Sequence, residues 1–192
     1  VPNDPKTPQD PEGALTPSDQ PPSEQHSSFA RDLLRRGGRE LERARMASDS
    51  FGQGVVALYE KRYPQAVRLL QDAIRQNREN AEAHYYLGVT RFMLGWYSAA
   101  VESYSAAIDR GYAEPHVAQG LGDALFLLER YQEAAEAYGA VVKVRPNADA
   151  YARMGQAFSL IGRREDAVAA FREALLLKLA SVSAPDAPPP DQ

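Results

Sequence analysis

A short motif recurs four times along this chain at nearly constant spacing. Gln53-Gly54, Leu87-Gly88, Leu121-Gly122 and Met154-Gly155 are each followed, twelve residues after the glycine, by an alanine: Ala66, Ala100, Ala134 and Ala167. Glycines and alanines alike step by 34, 34 and 33 residues. A fixed period of this size restricts the chain to folds in which each unit buries its apolar face by stacking on its neighbours.

Further columns keep the register. Four residues beyond each alanine stand Leu70, Tyr104, Tyr138 and Phe171, followed by Ala73, Ala107, Val141 and Ala174, then Ile74, Ile108, Val142 and Leu175. Tyr63, Tyr97 and Tyr131 fill another column, broken by Arg164. These columns together resemble the tetratricopeptide repeat, a helix–turn–helix unit of about 34 residues. Four repeats are read, over 47–80, 81–114, 115–147 and 148–181, the third shortened by one residue beside Pro146-Asn147. Arg91, Ala57 and Arg78 depart from the large or proline residues usual at their positions. The implied fold is an all-α, right-handed solenoid.

Within the second repeat, helical spacing predicts a first helix over Glu82 to Leu94 and a second over Ser98 to Arg110, with Gly95-Trp96 as the turn and Gly111 as a left-handed stop. The small residues Gly88 and Ala100 are expected where these two helices cross closely.

In the resembled family the first helix of each repeat lines a concave face that carries ligand contacts. The register then implies a groove formed by Phe51, Val55, Leu58 and Tyr59 in the first unit and Glu82, Tyr85, Val89, Phe92 and Met93 in the second. The third supplies His116, Gln119, Asp123, Phe126 and Leu127, and the fourth Asp149, Ala152, Arg153, Gln156, Ser159 and Leu160. Such a groove is aromatic and apolar in its N-terminal half and polar in its C-terminal half. Members that grip a terminal carboxylate do so with a Lys/Asn/Arg clamp. Here the matching positions hold Phe51, Val55, Tyr85 and Val89, which cannot form one. The implied ligand is an apolar helix or extended segment of a partner protein. In the competing reading, Phe92, Met93 and Phe126 are partly core and the N-terminal segment occupies the groove in cis.

Composition narrows the alternatives. The formal net charge of −4 gives nucleic-acid binding no global electrostatic support. There is no cysteine, so disulfides and thiolate metal sites are excluded. No apolar run reaches the roughly 20 residues of a membrane span. Seven of the 14 prolines lie in residues 1–22 and four in 185–190. Residues 1–27 therefore read as an extended proline-rich arm and 182–192 as a disordered tail. The absence of an initiator Met marks a processed or recombinant form. The acidic, proline-rich start resembles the spacer of an exported or lipid-tethered bacterial protein, with a cytoplasmic protein as the alternative.

Residues 28–46 are helix-prone and rich in arginine. They read as a capping helix or, through Phe29, Leu33 and Leu34 with the arginines, as a basic contact to an acidic partner or membrane surface. At the other end, Leu176, Leu177 and Leu179 leave an uncapped apolar surface, read as a self-association or partner interface or as a surface covered by the tail. Trp96 in the first turn of repeat two reads either as an exposed anchor or as a ring lying over the adjacent turn near Arg130.

Enzyme signatures are lacking: there is no phosphate-binding glycine loop, HExxH or nucleophile elbow. His26, His84 and His116 have no partners spaced for a metal, and the carboxylates Glu133 and Glu136 read as a solvated face. No cofactor and no metal are expected. The function read from the sequence is a non-catalytic adaptor or scaffold that binds a partner segment in the groove. The alternative is a structural subunit held permanently in a larger, membrane-associated or soluble, complex by its arms and ends.

Overall fold

The period resolves into helical hairpins. The computed structural model describes residues 38–47 and 49–183, and among these every regular element is a helix. A short helix α1 spans 38–46. It is followed by α2 (Ser50–Tyr59), α3 (Tyr63–Gln76), α4 (Ala81–Met93), α5 (Tyr97–Asp109), α6 (Pro115–Leu127), α7 (Tyr131–Val144), α8 (Ala148–Leu160) and α9 (Arg164–Ser183). From α2 onward each helix packs against the next, and α4 also touches α2 and α6. The result is an all-α solenoid in which contacts run only between neighbours. The arm over 1–27, residues 28–37 of the arginine-rich segment and the tail beyond Ser183 lie outside the described residues. Helix α9 extends two residues into the segment expected to be tail.

Local chemistry starts and stops these helices. The side chains of Asp49, Asn80 and Asn147 accept hydrogen bonds from the backbone N–H of Gly52, Ala83 and Ala150, at 2.8, 3.0 and 2.8 Å, and so cap α2, α4 and α8. Pro115 opens α6, at a position where no N–H is needed. The turns inside the hairpins form a column of their own. Lys61, Gly95, Glu129 and Gly162 all have positive φ, of 60°, 77°, 60° and 77°. At each turn the following N–H returns to the helix it leaves, as in Arg62 to the carbonyl of Ala57 at 2.8 Å and Trp96 to that of Arg91 at 2.9 Å. That bond pattern needs one left-handed residue per turn. Gly111, with φ of 88°, ends the second hairpin as its position predicts.

The glycine and aromatic columns turn out to be partners. A Cβ placed on Gly88 would lie 2.8 Å from the ring of Tyr104, one on Gly122 2.7 Å from Tyr138, and one on Gly155 3.0 Å from Phe171. At the crossing expected near Gly88 and Ala100, the ring of Tyr104 lies against Gly88, and Ala100, one turn earlier on α5, is fully buried. Tyr104 is also gripped from the other side, because a Cβ on Gly120 of the next repeat would come within 2.9 Å of its ring. One tyrosine therefore fixes the hairpin α4–α5 and docks α6 onto it.

Two glycines separate packing from propensity. Gly122→Val should cost about 1–3 kcal/mol by forcing Tyr138 aside. Gly139, in the middle of α7, has only Met154 Sδ near, at 3.9 Å, so Gly139→Ala should stabilise by about 1 kcal/mol through helix propensity alone. Urea unfolding midpoints that move in opposite directions check both; shifts of the same sign contradict the packing account.

Candidate partner-binding surface

The inner face begins with a contact from within the chain. The Glu40 carboxylate of α1 accepts hydrogen bonds from the Tyr59 hydroxyl at 2.8 Å and the Tyr86 hydroxyl at 3.3 Å. Tyr59 ends α2 and Tyr86 lies in α4, so a single carboxylate ties α1 across the first two repeats. Ala44 of α1 is buried in the main core cluster. Between α1, α2 and α4 remains a cavity of about 200 Å³, bordered by Glu40, Arg43, Phe51, Val55, Glu82 and Tyr86. The aromatic half of the expected groove is therefore partly occupied in cis, by residues 38–47.

Burial and the Glu40 charge set the ionisation of this region. Burial first, and then Glu40, pushes the Tyr59 hydroxyl well above its ordinary value. Tyr112 rises to about 12, again chiefly by burial, with Glu82 and Glu40 adding to it. Burial also raises the Glu82 carboxyl, opposed by Arg43 and reinforced by Glu40.

The expected groove residues divide into two sets. Val55, Leu58, Tyr85, Val89, Phe92 and Asp123 are buried. The aromatic ones pack ring against ring: Tyr85 lies 4.9 Å from His116 and 5.0 Å from Tyr86, and Phe92 5.5 Å from Tyr97. These six hold neighbouring helices together and offer no surface. Phe51, Tyr59, Glu82, Met93, His116, Gln119, Phe126, Leu127, Ala152 and Arg153 are half-buried, and Asp149, Gln156, Ser159 and Leu160 are exposed. Tyr59, Met93, Leu127 and Leu160 stand one period apart at the last positions of α2, α4, α6 and α8. They form an apolar row along the first helices of the repeats. The first three are half-buried, Tyr59 under Glu40, and Leu160 is 56% exposed.

Asp123 and Arg153, expected as polar groove contacts, are instead drawn together. The Asp123 carboxylate is buried and accepts a 2.7 Å hydrogen bond from the Tyr138 hydroxyl, while Arg153 Nε lies 3.6 Å from the same oxygen. This network joins α6, α7 and α8. A buried carboxylate is tolerable only with such partners. Its presence raises the Tyr138 hydroxyl further above the level that burial alone produces.

Other candidates find structural places. Trp96 is half-buried against the main core cluster, because it caps the N-terminus of α5 and packs inward, so it is not an exposed anchor. Glu133 pairs with Arg130 at 2.6 Å, and Glu136 accepts from Gln132, both in solvent. His84 borders a cleft of about 370 Å³ with Arg75 and Arg91, and burial followed by Arg110 lowers its pKa. Among the described residues no helix is long and apolar enough to cross a membrane, and no cluster of three or more His, Asp or Glu is placed to hold a metal ion.

A family model described as tetratricopeptide repeat matches residues 51–115 and 119–188, well over half of the chain. The chain belongs to the tetratricopeptide repeat family. Its fold is similar to solved structures of MamA. One, titled "Crystal structure of MamA protein", superposes with a TM-score of 0.67 at 23% identity and covers 83% of this chain and 85% of that one. A second MamA crystal structure gives 0.66 at 22%, covering 81% and 88%. MamA from Desulfovibrio magneticus RS-1 gives 0.65 at 18%, covering 83% and 96%. At these identities the likeness establishes the fold alone. No curated protein has a significant sequence match to the chain. Tetratricopeptide repeat proteins are generally non-catalytic adaptors, and the family supports a protein-interaction or scaffold role.

Two measurements test the buried polar groups. Arg153→Ala leaves Asp123 buried without its cation and should cost about 3 kcal/mol in urea unfolding; a loss within about 0.5 kcal/mol would show the pair to be idle. Tyr85, Tyr104 and Tyr138 all hold their protons to higher pH when folded, chiefly by burial. Above about pH 10 the unfolded chain therefore carries fewer protons than the folded one, so stability is intact below that pH and falls above it. The slope is about 1.4 kcal/mol per pH unit for each such tyrosine. A midpoint that stays flat well into the alkaline range contradicts this.

Proposed function

We propose that this chain is a non-catalytic adaptor whose inner face binds an apolar, helical or extended segment of a partner protein during assembly of a larger complex. The observation that carries the reading is the row Tyr59, Met93, Leu127 and Leu160: large apolar side chains repeated at the period, left half-buried or exposed. Phe126, half-buried beside the row, adds an aromatic anchor, and Gln119 and Gln156 supply polar contacts at its margins. Because α1 engages Tyr59 and Tyr86, the open stretch runs from Met93 toward Leu160. Helix-in-groove recognition uses this arrangement, anchors at a regular spacing against a preformed wall. The net charge of −4 favours protein over nucleic acid as the partner. The alternative, a permanently bound structural subunit, is supported by the exposed apolar end of α9.

Peptides selected from a random display library against the full chain provide the probe. They should be rich in large apolar residues at helical or alternating spacing. Leu127→Ser with Leu160→Ser should weaken their binding by about 30-fold at unchanged helix content by circular dichroism. Selected peptides that bind the double variant equally well would place the binding surface elsewhere.

A further inference from the structure

The last helix exposes columns that the earlier repeats bury or half-bury. Leu70, Tyr104 and Tyr138 are fully buried, whereas Phe171, in the same column, is 41% exposed. Val67 and Ala135 are 5% and 2% exposed and Val101 is half-buried where Val168 is 68%; Val142 is 8% exposed and Ile74 and Ile108 are half-buried where Leu175 is 57%. In the first three repeats these columns lie beneath the next hairpin. Helix α9 also outgrows its counterparts, with 20 residues against 14, 13 and 14 in α3, α5 and α7. The added turns carry Leu179, 54% exposed, and Val182, 83% exposed, on the same stripe. Leu176 is exposed beside them and Leu177 is half-buried. The apolar area so presented is on the order of 600 Å², the upper end of what monomers leave open and near one partner's share of a standard interface.

We propose that this face pairs with the same face of a second copy, α9 against α9 about a two-fold axis. Three observations select this occupant. First, a head-to-tail stack would bring α9 against the front of α2, and that front is already covered: a Cβ on Gly52 would lie 2.5 Å from Ala47 Cβ and 2.8 Å from the Ala44 carbonyl oxygen. Second, residues 184–192 (APDAPPPDQ) hold no large apolar side chain with which to cover it. Third, the face is self-complementary, as a two-fold interface requires. In an antiparallel pairing centred on Leu175, this leucine meets its own copy across the axis, with Phe171 over Leu179 and Val168 over Val182 of the other copy, all of them residues of the one exposed stripe. The proposal is independent of the inner-face reading, which involves different columns.

Sedimentation equilibrium of the full chain tests it. The mass should rise with concentration to twice that of one chain. Leu175→Glu with Leu179→Glu should raise the dimer dissociation constant by at least about 30-fold. Since the chain has no cysteine, Leu175→Cys should cross-link into dimers on oxidation, whereas Val144→Cys, exposed but remote from α9's stripe, should not. A chain that stays monomeric throughout overturns the proposal. So does a dimer indifferent to the leucine variants, or equal cross-linking at the two positions. A monomer whose α9 stripe proves necessary for binding a different protein would assign the face to that partner and equally overturn self-pairing.

Discussion

A ring laid on a glycine is the contact from which this structure is built. In each repeat the aromatic or leucine side chain of the second helix lies against the Cα of a glycine in the first, at distances that leave no room for even a methyl group. Because packing in a protein interior is close to that of a crystal, such an interlock fixes the helix crossing to within a few tenths of an ångström. Tyr104 extends the effect to the next unit by resting on Gly120 as well. The fully buried alanine column brings the helices near enough for the rings to reach. Once one hairpin has this geometry, the next must repeat it, and the period of the sequence becomes the period of the stack.

The columns that make these contacts are the ones legible in the sequence. Gly88, Ala100 and Tyr104 recur because the stack imposes the same environment on every unit, and recurrence is what a single sequence displays. The reading of Gly88 with Ala100 did not include the Tyr104 ring that rests on Gly88, because the columns share one spacing, which does not say which pairs touch. Two of the turn residues escaped notice for a related reason. Gly95 and Gly162 announce a left-handed backbone, but Lys61 and Glu129 adopt the same conformation without the glycine that would signal it. Their strain is held by the returning hydrogen bonds of the turn.

What breaks the period was far less visible. Asp123 stands where Val89 stands one repeat earlier, and a carboxylate on the inner helix of a binding repeat reads as a ligand contact. Its burial follows from Tyr138 and Arg153, which lie 15 and 30 positions away and meet it only after three helices have packed. The same holds for Glu40. Its role as acceptor for Tyr59 and Tyr86 depends on the fold of two repeats around it, and no local pattern in the arginine-rich segment marks it out among Glu42 and its neighbours. Residues that act through long-range polar contacts belong to no column, so periodicity carries no information about them.

The same logic sorts the surfaces. A column that the stack uses is buried or half-buried wherever a next hairpin exists and exposed only where the stack ends; a column that the stack does not use keeps part of each side chain open in every unit. Phe171, Val168 and Leu175 belong to the first kind and Met93, Leu127 and Leu160 to the second. The first kind is complementary in shape to a helix packed at the family's own crossing, which favours a rigid, helical counterpart. The second kind presents side chains about one repeat apart, which favours a ligand long enough to span several units. Tyr59 shows the second kind already engaged, by Glu40 of α1, and in doing so α1 also closes the front of the stack through Ala44 and Ala47. One short helix thereby limits both surfaces: it shortens the inner row at its N-terminal end and leaves the two ends of the solenoid unlike, so that the exposed apolar end finds its complement in another α9.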